Sequence, residues 1–294
     1  MATPTHPPSG TAAYAFNKAS DVYERLTGGC TREVAQYILF LNPKVTSSSV
    51  VLDNACGTGI ITEEIINLFP DPASLPQVYA ADFAPTMISN LTTKATRNGW
   101  IPDPNTGTER EEKKLNVILN ISVQNAEELQ YEDNTFTHSY TNLGFPFFPD
   151  GVKAAGQVYR TLSPGGTAFV TTWKKLGYLR PIHQAQLAVR PEATPWEVPM
   201  PREWMTREKL VGVLEGGGFE RGKIEVFEKV VGYRGEDLDD LMDILKTAFL
   251  RLVTEGWSEG EKERWVEEVR GGLTEEEKET ARLEMVAWVA VARK

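Results

Sequence analysis

Residues 50–59 read VVLDNACGTG. With Ser49, the segment 49–53 is a short, β-branched, apolar run of the kind that forms a strand buried on both faces. Asp53 ends the run, and Asn54-Ala55-Cys56-Gly57-Thr58-Gly59 follows as a turn of small residues. Glycine there gives access to unusual dihedrals and lets the backbone approach a ligand closely. Ile60 to Phe69 then carries apolar residues at helical spacing until Pro70 stops it. A strand that leaves through a glycine turn into a helix is the opening unit of an open α/β sheet, whose ligands sit beyond the carboxyl ends of the strands.

The pattern repeats along the chain. Residues 77–82 (QVYAAD) read as a second strand and Pro85 to Asn98 as a second helix. After a polar loop over 101–114, Asn116 to Val123 reads as a third strand and Phe136 to Tyr140 as a fourth. Val152 to Leu162 is a helix, Pro164-Gly165-Gly166 a turn, and Thr167 to Trp173 a fifth strand. Strands and helices alternating in this way predict a doubly wound, mostly parallel, Rossmann-like sheet. Residues 11–41 read as a helical N-terminal segment broken at Gly28-Gly29, and residues 1–10 as a flexible N-terminus. Residues 174–209, with five prolines, read as an irregular lid insertion. A short helix over 210–218, a strand near 223–231, an amphipathic helix over 237–253 and a closing strand over 285–292 complete a seven-stranded, single-domain organisation over 11–294. On the 237–253 helix, Leu238, Leu241, Leu245, Phe249 and Leu252 share one face.

Composition narrows the partners. The net charge is −10, and residues 235–281 hold 15 acidic against 6 basic residues. The acidity is therefore local and reads as a solvated helical surface in an insertion. No basic stripe suits a nucleic acid, and no apolar run is long enough for a membrane span. Two cysteines, Cys30 and Cys56, make no disulfide framework, so a cytoplasmic setting is expected, as a monomer or weak homodimer with no metal.

Two carboxylates specify the ligand of the glycine turn. Asp82 ends the second strand, where it can accept hydrogen bonds from both ribose hydroxyls of an adenosine. Asp53 lies just before the turn, where it either caps the following helix or faces the ligand. An acid there opposes a pyrophosphate, which needs helix-terminal amides free of a nearby anion. The third glycine of the dinucleotide fingerprint is also missing, since Thr62 stands in its place. These features rank S-adenosylmethionine (SAM), with its ammonium and sulfonium, above NAD.

The order of these motifs over residues 45–175 resembles class I SAM-dependent methyltransferases. Asp53, Gly57 and Gly59 match that family's first motif, with Ala55 where its first glycine stands. The resemblance implies that Asp53 and the loop backbone serve the methionine end of SAM and that Asp82 holds the ribose. It also implies that Phe83 and Met87 pack on the adenine. Residues 123–136, VQNAEELQYEDNTF, resemble the family's adenine-contacting segment, which would give Asn125 the adenine amino group and Ala126 a backbone bond to the ring. TLSPGG at 161–166 resembles the turn before the fifth strand.

The acceptor side is read from the loop after the fourth strand, the lid and the N-terminal helix. Residues 141–150, TNLGFPFFPD, lack the Asn-Pro-Pro-Tyr type of motif, and their phenylalanines suit an apolar small-molecule pocket. Asn142 is expected near the methionine or sulfonium. Phe145, Phe148, Trp173, Trp196, Tyr14 and Tyr23 are candidate pocket walls, alongside Phe16, Phe147 and Trp204. Of the three histidines, His6 lies in the N-terminus, His138 reads as structural, and His183 is the candidate base. VLDNACGTG, GFPFFPD and VTTWK together resemble fungal secondary-metabolite enzymes of the gliotoxin-type thiol S-methyltransferase group. More distantly they resemble ubiquinone/menaquinone-biosynthesis methyltransferases. The resemblance implies S-methylation of a small-molecule thiol. An O- or N-methyltransferase, a non-catalytic SAM-fold regulator and a nicotinamide-dependent dehydrogenase are the alternatives.

Overall fold

The strand that enters the glycine turn, β1 (Val50–Asn54), lies inside the sheet and is covered on both sides. Val51 and Leu52 are fully buried but belong to different clusters. Val51 packs with Ile61, Ile65, Leu91 and Tyr140; Leu52 belongs with Phe136, Val158 and Val170. The apolar run is therefore continuous because each successive side chain meets a different layer. A computed structural model of the chain describes residues 23–102 and 119–294.

The described residues form a seven-stranded sheet of order β3-β2-β1-β4-β5-β7-β6. Its other strands are β2 (Gln77–Asp82), β3 (Leu119–Val123), β4 (Phe136–Asn142), β5 (Leu162–Lys175), β6 (Ile224–Arg234) and β7 (Arg282–Arg293). β1 to β5 pair in parallel, and β7 inserts antiparallel between β5 and β6. Strand order reverses between β1 and β4. The helix after β1, α3 (Ile60–Leu68), buries Ile61 and Ile65 in one layer. The helix after β4, α5 (Gly151–Thr161), buries Ala154 and Val158 in the other. The two loops leaving β1 and β4 thus diverge and open a crevice at the switch point. This is the doubly wound arrangement expected from the sequence.

The N-terminal segment forms α1 (Tyr23–Leu26) and α2 (Cys30–Leu39). The break falls at Gly28 and Gly29, both with left-handed φ. A Cβ on Gly28 would also stand 2.9 Å from Arg234 N and the Tyr233 ring. The expected helix over 11–22 and the flexible 1–10 lie outside the described residues.

Three expectations need correction. The lid is not irregular throughout, because it contains α6 (Leu179–Val189). Ile182, Ala185 and Gln186 bury one face of that helix, and Pro181 sits in its first turn, where a missing N–H costs nothing. Residues 164–166 do not separate a helix from a strand. β5 starts at Leu162 and bulges there, moving from a Phe136–Leu162 pair to a His138–Thr167 pair. The acidic stretch folds as α8 (Leu238–Val253), α9 (Glu259–Gly271) and α10 (Glu275–Thr280). Leu252, read as part of the apolar face of α8, is 57% exposed, and Met242, Ile244 and Val253 are buried instead. The remaining helices are α4 (Pro85–Arg97) and α7 (Arg207–Gly216).

Candidate cofactor site

Two lobes of a cleft meet at the glycine turn. The first, about 440 Å³, runs from Asp82, Phe83 and Met87 across to Leu143, Gly144, Phe147 and Phe148. The second, about 370 Å³, is lined by Thr31, Asp53, Cys56, Thr58, Ile60 and Ile61. Ala55, Gly57 and Asn142 line both lobes. The two glycines of the turn do different jobs. A Cβ on Gly59 would collide with Leu91 at 2.3 Å, so Gly59 lets α3 approach α4. A Cβ on Gly57 would meet nothing within 4 Å, and its φ is left-handed. Gly57 therefore leaves free space where its backbone borders both lobes.

Asp82 is 6% exposed. Its Oδ2 accepts from Gly57 N at 2.9 Å and its Oδ1 from Ala84 N at 2.8 Å. Burial raises its pKa, and the backbone bonds from Ala84, Gly57 and Phe83 oppose that rise. Each carboxylate oxygen keeps lone-pair capacity for one more donor, enough for two ribose hydroxyls.

Asp53 is 1% exposed. Its Oδ2 accepts from Thr62 N at 3.1 Å and Thr62 Oγ1 at 2.7 Å, so it caps the first turn of α3 as well as lining the second lobe. Burial pushes its pKa up to about 7 against the two Thr62 bonds, and the nearby Asp82 charge adds to the rise. Neither lobe has a lysine or arginine in its lining. Two buried acids with no basic partner favour a cationic ligand and oppose a pyrophosphate.

Phe83, 36% exposed, and the buried Met87 stand on one wall of the first lobe. Asn142 joins the two lobes, yet its side chain is engaged: Nδ2 donates to Thr31 O at 3.1 Å and Oδ1 accepts from Thr171 Oγ1 at 2.8 Å. Asn125 and Ala126 do not line either lobe. Asn125 is exposed, its Oδ1 accepts from Glu127 N at 3.0 Å in a turn, and Ala126 is buried in the core.

The acceptor-side candidates separate similarly. Phe148 lines the first lobe, joined by Phe147. Phe145 does not: the 3₁₀ turn Phe145–Phe147 directs it inward, fully buried against Phe148 and Trp204. Trp173 and Trp196 pack on the main core and line neither lobe. His183 is also outside the cleft lining, and its Nε2 donates to Trp196 O at 2.7 Å, which ties α6 to the part of the lid that follows it. His138 is buried, bonds Thr137 and Pro43, and has its pKa lowered by burial. His6, Tyr14 and Phe16 lie outside the described residues, as does the side chain of Tyr23.

One feature of the site was invisible to motif reading. Glu24 on α1 accepts from Thr58 Oγ1 of the glycine turn at 3.0 Å, from Lys94 Nζ at 2.6 Å and from Arg32 Nη2 at 2.6 Å. Arg32 also bonds Glu63 at 2.8 Å and Glu64 at 2.5 Å. The network fastens α1, α2, α3 and α4 around the turn.

Residues 52–170 match the family described as a methyltransferase domain, and that segment contains the whole of β1, β2, β4 and α3 to α5 apart from the first two residues of β1. The match covers 119 of the chain's 294 residues and makes this segment similar to methyltransferase domains. The Aspergillus fumigatus protein named methyltransferase tpcH is 26% identical over 188 residues, covering 61% of this chain and 60% of its own length. Methyltransferase ktnA of Aspergillus niger is 20% identical over 249 residues, covering 75% and 74%. Among solved structures, the [4+2]-cyclase SpnF superposes with a TM-score of 0.56 at 14% identity, covering 99% of each chain. Phosphoethanolamine N-methyltransferase 2 of Haemonchus contortus, solved with S-adenosylhomocysteine (SAH), gives 0.53 at 16% identity, covering 96% of this chain and 58% of that one. These likenesses show the methyltransferase fold. A cyclase on the same frame shows that the fold does not choose the chemistry, which rests on the site. In the methyltransferase domain the buried acids at Asp53 and Asp82, with the free space over Gly57, fit SAM.

Proposed function

We propose that the chain transfers a methyl group from SAM to a small-molecule acceptor with an apolar body, and that the methylated atom is a thiol sulfur. The observation that carries the cofactor half is the pair of buried acids, Asp53 and Asp82, in a cleft without a basic lining residue. When bound, SAM supplies a methyl group already activated on a sulfonium. The protein then has to hold both reactants in line and exclude water. Asp82 accepts the ribose hydroxyls, Asp53 faces the ammonium, and Phe83 and Met87 cover the adenine. Asn142 fixes the carboxyl end of β4 against Thr31 and Thr171.

The acceptor reading rests on what the cleft provides. Phe147 and Phe148 give an apolar wall. The described histidines, His138 and His183, are engaged elsewhere. A thiol suits such a site because its pKa of about 8.5 leaves a few per cent as thiolate at neutral pH without a dedicated base. The sulfur lone pair forms the new S–C bond, the old bond to the sulfonium breaks with its electrons on the cofactor sulfur, and the thiol proton passes to water. The fungal relatives tpcH and ktnA are named as methyltransferases, which agrees with methyl transfer. The test is incubation with methyl-labelled SAM and matched panels of thiols, phenols and amines. Labelled thioethers are expected; label confined to oxygen or nitrogen would overturn the thiol assignment.

A further inference from the structure

The loop after β1 and the loop after β4 face each other across the cleft, and each contains a non-glycine residue with left-handed φ. Ala55 has a φ of 54° and Leu143 a φ of 62°. Such residues are strained and persist only where the surroundings hold them. Gly144, next to Leu143, is the reverse case. Its φ of −82° and ψ of −38° are open to any residue, so its backbone does not need glycine. A Cβ at Gly144 would instead stand 2.8 Å from the Ala55 Cβ, closer than two such atoms pack.

Neither loop is free to retreat. Cys56 N donates to Ala81 O at 3.0 Å and Gly57 N to Asp82 at 2.9 Å, which holds the β1 loop to β2. Leu143 N donates to Thr171 Oγ1 at 2.9 Å, and Thr171 donates to Asn142, which holds the β4 loop to β5. Asn54 Nδ2 also donates to Thr141 Oγ1 at 3.2 Å, which joins the ends of β1 and β4, and beyond it a methyl at position 55 faces a bare Cα at 144. Ala55 borders both lobes, so this contact stands where they join.

We propose that Ala55 and Gly144 are a matched pair that fixes the width of the slot through which SAM passes from one lobe to the other, which makes Gly144 a positioning residue for the cofactor. The proposal rests on the reading of the cleft as the SAM site. It explains how a methyl is accommodated at position 55: the residue facing it across the slot has no side chain.

The test is a double-mutant cycle read by calorimetry with SAH, which spans both lobes, and with adenosine, which fits the first lobe alone. Gly144→Ala is expected to weaken SAH by about tenfold or more, the effect of overpacking a pinned contact, and adenosine by less than about threefold. Ala55→Gly is the reference for the cycle, and Ala55→Gly/Gly144→Ala is expected to bind SAH within about threefold of Ala55→Gly, because the 2.8 Å collision is gone and only the Thr141 methyl, at 3.1 Å, has to give. If Gly144→Ala fails to fold, the comparison of the double variant with Ala55→Gly carries the test. A double variant that binds like Ala55→Gly supports the pair. A Gly144→Ala protein that binds SAH like the parent, a double variant with no recovery, or equal losses for SAH and adenosine would each overturn it. If the parent chain itself binds neither SAH nor adenosine, the SAM-site reading fails, not the pairing alone.

Discussion

Acidification should weaken cofactor binding through Asp53. In the free protein its carboxyl has a pKa of about 7, because burial disfavours the charge more than the Thr62 bonds restore it. An ammonium placed against it favours the ionised form and lowers that pKa. The sign follows. Below pH 7 the free carboxyl carries a proton that must leave when SAM binds, so affinity rises with pH and levels off above about pH 7.5. At pH 6, one unit below the free pKa, binding should be weaker than on the plateau by about tenfold, or roughly 1.4 kcal/mol. Calorimetry in two buffers of different ionisation enthalpy reads both the affinity and the proton released. SAH keeps the ammonium but loses the sulfonium, so it should show the same slope. Asp53→Asn keeps an oxygen for Thr62 and should flatten the profile. Equal SAM affinity at pH 6 and pH 8, with no proton released, would refute the placement of Asp53 at the ammonium.

Asp82→Ala removes the proposed ribose acceptor and the carboxylate that accepts from Gly57 N, and SAH binding should weaken by roughly 1.5–3 kcal/mol; an unchanged Kd in a calorimetric titration means the ribose lies elsewhere. Gly57→Val places a branched side chain in the free space of the cleft and strains a left-handed φ, so a protein that still unfolds cooperatively should show no heat on titration with SAH. Glu24→Gln leaves Lys94 and Arg32 with one acid fewer around Thr58. Its melting temperature should fall relative to the parent at low salt, and the gap should narrow in about 0.5 M NaCl, where these half-buried ion pairs are partly screened. An equal gap at both salt levels would mean the network contributes by packing rather than charge.

The fold was legible from Val50 to Gly59 because a parallel strand buried on both faces must be an uninterrupted apolar run, and few structures other than a turn into a helix accept Gly57 and Gly59 so close together. Asp82 was equally legible, since the carboxyl end of β2 lies beside that of β1. Periodicity said less about the walls. It could not show that a 3₁₀ turn drives Phe145 into the core while Phe147 and Phe148 face the cleft. Nor could it show that His183 is tied to the Trp196 carbonyl, or that the Asn142 amide is spent on Thr31 and Thr171. These are side-chain matters decided by neighbours distant in the chain. The bonds of Glu24 to Thr58 and Lys94 span 34 and 70 residues, and no local pattern announces them. The Ala55–Gly144 contact is of the same kind. Each residue alone is an ordinary small residue in a loop, and only the sheet order brings them together.

The most direct test of the central claim is calorimetric titration of the whole chain with SAM, SAH and NAD at pH 7.5. The account predicts one-to-one binding of SAM and SAH and no binding of NAD. Absence of binding by both SAM and SAH, or a preference for NAD, would contradict it.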